Sequence, residues 1–210
     1  VSLAGFVAPD TANPKVRQLL DGAHRLFLEQ GYDSVSTDAI AREARVSKAT
    51  LYAYFPSKEA LFATLVGEQC GQRSLAIWSA AATNSGVEDV LRTIARNFMA
   101  MFATSDALAF YRTIIAQVPR FPELGRVFYE SGPKLLQDRI EEFLRAASDR
   151  GELSIPDAGL AAMQFIQLVS ADLPLTGLLA LEPLTEERIE RTVESGITLF
   201  LRGYARPLDD

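Results

Sequence analysis

One cysteine, Cys70, and one histidine, His24, are all that 210 residues hold of two side chains that commonly serve as metal ligand, nucleophile or base. A lone cysteine excludes an intramolecular disulfide and a cysteine-built zinc site, and fits a reducing compartment, so the cytoplasm is the expected location. His24 stands beside the helical face of Val16, Leu19, Leu20, Ala23, Leu26 and Phe27, as a partly exposed structural histidine would. There is no G-x-S-x-G, no phosphate-cradling loop and no G-x-G-x-x-G. No run approaches the roughly 20 apolar residues of a membrane span. The most hydrophobic region, 158–181, is interrupted by Gln164, Gln167, Asp172 and Pro174. The opening VSLAGFVAPDTAN has no cation before its short apolar run, unlike a signal peptide. No enzyme class, cofactor, metal or membrane partner is indicated.

Positive charge is also scarce. The formal net charge is −6, which argues against indiscriminate nucleic-acid binding. Its distribution matters more: residues 1–60 carry seven Lys/Arg and seven Asp/Glu, and residues 61–210 carry 14 and 20. A DNA-binding head would have to place its few cations well. Hydrophobic residues at 48% and charged residues at 23% describe a globular chain able to bury a core.

What is present reads as helix after helix. Asn13-Pro14 caps and starts the first, and Gly31 permits its left-handed stop. Short helices are predicted over 37–44 and 48–55, with a turn at Arg45-Val46 and Ser47 as a cap. A fourth begins at Lys58 after Pro56-Ser57 and reaches the region of Trp78, with Ser85-Gly86 as the next break. Further helices are predicted over 87–103, 106–118, 123–130, 134–150, 157–180 and 185–203, punctuated by Pro119, Pro122, Gly132-Pro133, Gly151, Pro156 and Pro183. The expected fold is all-α, about nine helices: a three-helix head on a larger helical body, the fourth helix joining them as one rod.

Residues 36–61, STDAIAREARVSKATLYAYFPSKEAL, have the spacing of a helix-turn-helix, whose second helix can enter a major groove. On a helical wheel, Leu51 and Phe55 share one side and can pack on Ile40, Ala44 and Val46. The opposite side holds Ala49 and Ala53, flanked by Tyr52 and Thr50. Thr37, Ser47 and Ser57 are expected to cap three helix N-termini near one surface, where free N–H groups favour phosphate and Lys58 adds a cation.

Four motifs give this segment a family likeness: A-x-x-L-F-x-x-x-G-Y (Ala23 to Tyr32), T-x-x-I-A (Thr37 to Ala41), V-S-x-x-T-L-Y-x-Y-F (Val46 to Phe55) and P-S-K-E-A-L-F. Over Ala23 to Leu65 the chain resembles the N-terminal domain of the TetR family of transcriptional repressors. The resemblance implies phosphate contacts for Thr37, Ser47, Thr50, Tyr54 and Lys58, and base reading by Lys48, Ala49 and Tyr52. Arg42 would reach a base or a phosphate. The family commonly has glycine where this chain has Arg45 and Ala49. A positive φ at Arg45 would cost of order 1 kcal/mol, which a phosphate contact could offset.

In the body, Tyr111-Arg112, Ala116 and Pro119 to Pro133 resemble the C-terminal domain of one TetR subgroup. That implies a small molecule held among the helices and dimerisation through the last two long ones. Trp78, Phe98, Phe102, Phe110, Tyr111, Ile114 and Phe128 are the candidate apolar lining, with Gln117, Gln164 and Gln167 as polar fixtures; the alternative is filled core and surface amides. The acidic excess favours a neutral or cationic ligand. For the dimer interface the expected residues are Met163, Ala171 and Leu178 on one helix and Ile189, Val193, Gly196, Ile197 and Phe200 on the last. Here the alternative is an intramolecular core.

The expected organisation is a tail (1–13), a helix-turn-helix domain (14–60) and a ligand-binding and dimerisation domain (61–210). The expected function is a homodimeric repressor on a pseudo-palindromic double-stranded DNA operator, released by a small-molecule inducer. A DNA binder that senses nothing, an activator, and a small-molecule carrier or enzyme with a vestigial head are the alternatives.

Overall fold

A computed structural model of the chain describes residues 6–79 and 86–205, so Ser85, half of the predicted break, lies outside the described residues. The fold is all-α. Eleven α-helices are present among the described residues: α1 (Pro14–Gln30), α2 (Thr37–Glu43), α3 (Lys48–Tyr54), α4 (Lys58–Ser79), α5 (Val87–Ala100), α6 (Ser105–Gln117), α7 (Pro122–Tyr129), α8 (Leu135–Asp149), α9 (Ala158–Ser170), α10 (Leu173–Leu178) and α11 (Glu186–Gly203). A single π-helical turn, Glu130–Lys134, lies between α7 and α8.

Two boundaries differ from expectation, both at proline. The predicted 157–180 helix is two helices, because Ala171 adopts φ 45° and α10 restarts with Pro174 in its first turn. The break precedes the proline because its ring would clash with the carbonyl four residues back, that of Ser170. At Gly132-Pro133 the chain does not break. The π turn absorbs Pro133, whose missing N–H then costs no regular helical bond, and the backbone runs on into α8.

The chain forms two compact units, residues 1–71 with 109–131 and residues 72–108 with 132–210. Each has its own core. In the first, Val16, Leu19, Leu20, Ala23 and Phe27 of α1 pack with Ile40, Leu51, Phe55, Leu61 and Phe62, joined by Phe110, Ile114, Phe121 and Leu124. The unit that holds the head therefore includes much of α6 and all of α7. The second core joins Leu91, Ile94 and Met99 of α5, Ile140 and Leu144 of α8, Phe165 and Val169 of α9, and Val193, Ile197 and Phe200 of α11. Arg92 bridges Glu88 and Glu194, and Arg96 pairs with Glu190, so an ion-pair network also ties α5 to α11. No described helix is long and apolar enough to cross a membrane.

Candidate nucleic-acid interface

The head is built from α1 inward. Asn13 caps α1 through its side-chain oxygen, which accepts from the Lys15 N–H at 2.9 Å, and Pro14 follows. Ser36, rather than Thr37, caps α2: its hydroxyl accepts from the Ala39 N–H at 3.1 Å. That leaves Thr37 in the first turn, with its hydroxyl 3.2 Å from the Tyr52 hydroxyl of α3. Ser47 caps α3 by accepting from the Thr50 N–H at 3.0 Å, and the two hydroxyls also meet at 2.8 Å. Ser57 accepts from the Ala60 N–H at the start of α4.

The turn between α2 and α3 is closed by the Val46 N–H donating to Ala41 O at 3.0 Å. Its Arg45 adopts φ 54°, so the position where the family commonly has glycine does require a left-handed residue. Leu51 and Phe55 are fully buried with Ile40 and Ala44, and Val46 packs half-buried against them. The opposite side of α3, Lys48, Ala49, Tyr52 and Ala53, faces solvent. Tyr54 is half-buried, its hydroxyl accepting from the Asn13 side-chain amide at 3.4 Å.

The cations do not all face outward. The Lys48 ammonium pairs with Asp38 of α2 at 2.7 Å, and hydrogen bonding to that carboxylate raises its pKa. Lys58 turns inward, which corrects its expected role as a phosphate contact. Its ammonium donates to Tyr32 O and Val35 O, each at 2.9 Å, and sits 4.2 Å over the Tyr32 ring. Two carbonyls of the loop between α1 and α2 thereby gain a donor, the one of Tyr32 in addition to the Val35 N–H at 3.4 Å; burial lowers the pKa of Lys58. Arg42 and Arg45 are exposed and have no side-chain partner among the described residues. Asp38 is the residue that sequence reasoning missed. Its place in the first turn of α2 was legible, but which residue of α3 it faces depends on how the turn folds.

The candidate ligand residues divide between the units. In the first, Phe110 and Ile114 are buried, with Phe110 edge-on to His24 at 5.5 Å and Tyr111 edge-on to Phe128 at 5.5 Å. Gln117 is buried there and donates to Asp33 at 3.3 Å. In the second, Phe98 and Phe102 pair edge-on at 5.5 Å, and Trp78 lies 6.1 Å from Phe143. The buried indole N–H of Trp78 has no hydrogen-bond partner among the described residues. Gln164 and Gln167 are corrected: both lie on the solvent face of α9, with Gln164 accepting from the Tyr204 hydroxyl at 2.5 Å.

The dimer expectation is corrected in part. Val193, Gly196, Ile197 and Phe200 are buried in the second unit's own core. A Cβ on Gly196 would come within 2.4 Å of Leu168 O, so the glycine permits close approach of α9 from the same chain. Ala171 is exposed in the backbone break, on no helix face. Met163 is exposed, while Leu178 and Ile189 are half-buried. Leu160, on the same helix as Met163, is exposed too, and Leu168, Leu175, Leu179 and Leu199, not anticipated, add further exposed apolar surface.

A family model described as bacterial regulatory proteins of the tetR family matches residues 19–65. A second, described as the C-terminal domain of AefR-like transcriptional repressors, matches residues 89–206. The chain belongs to the TetR family. It is a helix-turn-helix transcriptional regulator, and ligand-responsive repression is typical of this family. Among solved structures, the Flavonoid-responsive Regulator FrrA is 42% identical with a TM-score of 0.79, over 92% of this chain and 98% of that one. A TetR-family regulator from Mesorhizobium loti is 27% identical with a TM-score of 0.85, over 94% of this chain and 100% of that one. An HTH-type transcriptional repressor of Mycobacterium tuberculosis is 27% identical over 175 residues, 83% of this chain and 85% of its own.

Proposed function

We propose that this TetR-family regulator is a cytoplasmic repressor that binds a pseudo-palindromic operator as a homodimer and is released by a small-molecule inducer. It acts by binding rather than by catalysis. Residues 14–60 form the DNA-binding domain, and residues 61–210 bind the inducer and dimerise. The observation that carries this reading is the division of α3: Leu51 and Phe55 are fully buried while Lys48, Ala49, Tyr52 and Ala53 are left to the solvent. The small residues let the helix approach a groove floor. Lys48 and Tyr52 supply donors and acceptors for base edges, and Thr37, Ser47, Thr50, Tyr54, Arg42 and Arg45 are proposed for the phosphates.

Two subunits would place two α3 helices in successive major grooves, one helical turn apart. The proposed dimer surface is the exposed apolar side of α9 and α11, with Leu160, Met163, Leu168 and Leu199. For the inducer class, the 42% identical relative is named for its response to flavonoids, and the buried aromatic residues of this chain suit a flat aromatic ligand. The lone Trp78 N–H is proposed as a hydrogen-bond donor to it. Inducer and operator must each weaken the other's binding by the same factor.

Selection of bound duplexes from a randomised pool tests the reading, followed by anisotropy titration of the winner with and without a panel of flavonoid aglycones. The expected result is an inverted repeat bound by whole dimers, with affinity lowered by at least one flavonoid. No enriched sequence and a monomer in solution would overturn it.

A further inference from the structure

We propose that Asp38 is a positioning residue for base reading: its carboxylate holds the Lys48 ammonium beside the groove-facing side of α3 and withholds it from the phosphates. This inference rests on the DNA-reading role proposed above. Asp38 lies in the first turn of α2 and Lys48 opens α3, and their side chains meet at 2.7 Å although each is more than half exposed. The neighbouring residue repeats the link, since the Thr37 and Tyr52 hydroxyls lie 3.2 Å apart. Two adjacent residues of α2 thus pin two groove-facing residues of α3. Asp38 and Lys48 also line one surface hollow with Ala41, Arg42 and Val46, and the carboxylate's ion pair in it is with Lys48 rather than Arg42.

The chemistry gives this pairing a consequence. A lysine ammonium is a compact charge on a flexible stem, and beside a duplex it is drawn to the nearest phosphate. A phosphate contact adds affinity but carries no sequence information. A carboxylate facing DNA weakens binding to every duplex. It sharpens choice, however, if it keeps the ammonium until a better acceptor arrives. Guanine offers two acceptors, O6 and N7, at one major-groove edge, whereas other bases offer Lys48 less. On a wrong sequence the ammonium stays with Asp38, and the electrostatic gain from a phosphate is lost.

The test uses the full-length protein, the selected duplex and a scrambled duplex of equal length, titrated at two salt concentrations. For Asp38→Asn we expect tighter binding to the scrambled duplex and a specificity ratio reduced about tenfold. The salt slope should steepen by about 0.9 per subunit as Lys48 takes up a phosphate. Asp38→Glu, which keeps the carboxylate, should retain most of the ratio. In a Lys48→Met background, Asp38→Asn should leave ratio and slope unchanged. An unaltered ratio and slope in Asp38→Asn, or equal weakening on both duplexes, would overturn the inference and leave base reading intact. Loss of the ratio in Asp38→Glu as well would assign the residue a structural role and overturn it too. A wild-type protein that prefers no sequence would remove the DNA-reading role first, and this inference with it.

Discussion

The second helix of the helix-turn-helix, α3, and the last helix, α11, are both amphipathic, and both bury their apolar strip inside their own unit. They differ in what remains outside. On α3 the outward residues are small or polar, and Lys48 and Tyr52 are each tied to α2. On α11 the outward side carries Ser195, Thr198 and Arg202 around an exposed Leu199, in the unit where α9 exposes Leu160, Met163 and Leu168. An apolar strip therefore says what is buried, but not against whom. A partner surface is recognised from the apolar residues left over after the core has taken its share.

The sharpest way to break this comparison is to treat the two sides of α11 separately. Phe200→Ala, in the core against Phe165 and Tyr204, should cost about 3–5 kcal/mol in urea unfolding. Leu199→Ser should leave the monomer's fold almost unchanged and shift the monomer–dimer equilibrium in sedimentation. The reverse pattern would make the buried strip the partner surface.

Within the head, the comparison is between cations that face in and cations that face out. Lys58→Met removes the charged donor of the Val35 carbonyl and leaves the Tyr32 carbonyl only the 3.4 Å bond from the Val35 N–H, so unfolding free energy should fall by about 1–3 kcal/mol. The salt slope of DNA binding should stay unchanged, and a slope reduced by one would restore Lys58 as a phosphate contact. Arg45→Gly should act in the opposite sense. Relief of the left-handed φ should stabilise the head by about 1 kcal/mol, while the salt slope falls by about one per subunit. Stabilisation without a change in slope would assign the arginine no contact with DNA.

The smallest effect is silent at neutral pH. Burial, and then the Glu59 charge, raise the pKa of Tyr32 well above the usual 10. The folded state therefore holds this proton more tightly than the unfolded one. That contribution is fully present below pH 10 and is lost as pH rises through the folded value. Phenolate absorbance of wild type minus Tyr32→Phe should show this tyrosine ionising well above pH 10. Titration at the ordinary value would place it outside the core.

The extent of what was legible follows one physical division. Local backbone chemistry was readable at Asn13-Pro14, at Gly31 and in the 44–47 turn, where the need for a left-handed residue at Arg45 could be posed from sequence and is met at φ 54°. The two sides of α3 were readable as well, because seven residues leave little choice of which apolar pair turns inward. The break at Ala171 was not, because Pro174 announces an interruption without fixing which preceding residue absorbs it. Nor was the fate of Lys58, since a cation at a helix start reads the same whether its ammonium meets a phosphate or two carbonyls from a loop more than 20 residues earlier.

By itself, then, the sequence determined the helical fold, the helix-turn-helix and its family, because these rest on short-range spacing, caps and motifs. The tertiary structure alone decided which strip of α11 is core, which carboxylate holds Lys48 and which lysine turns inward. Each of those depends on contacts between residues far apart in the chain, whose partners are chosen by packing rather than by local pattern.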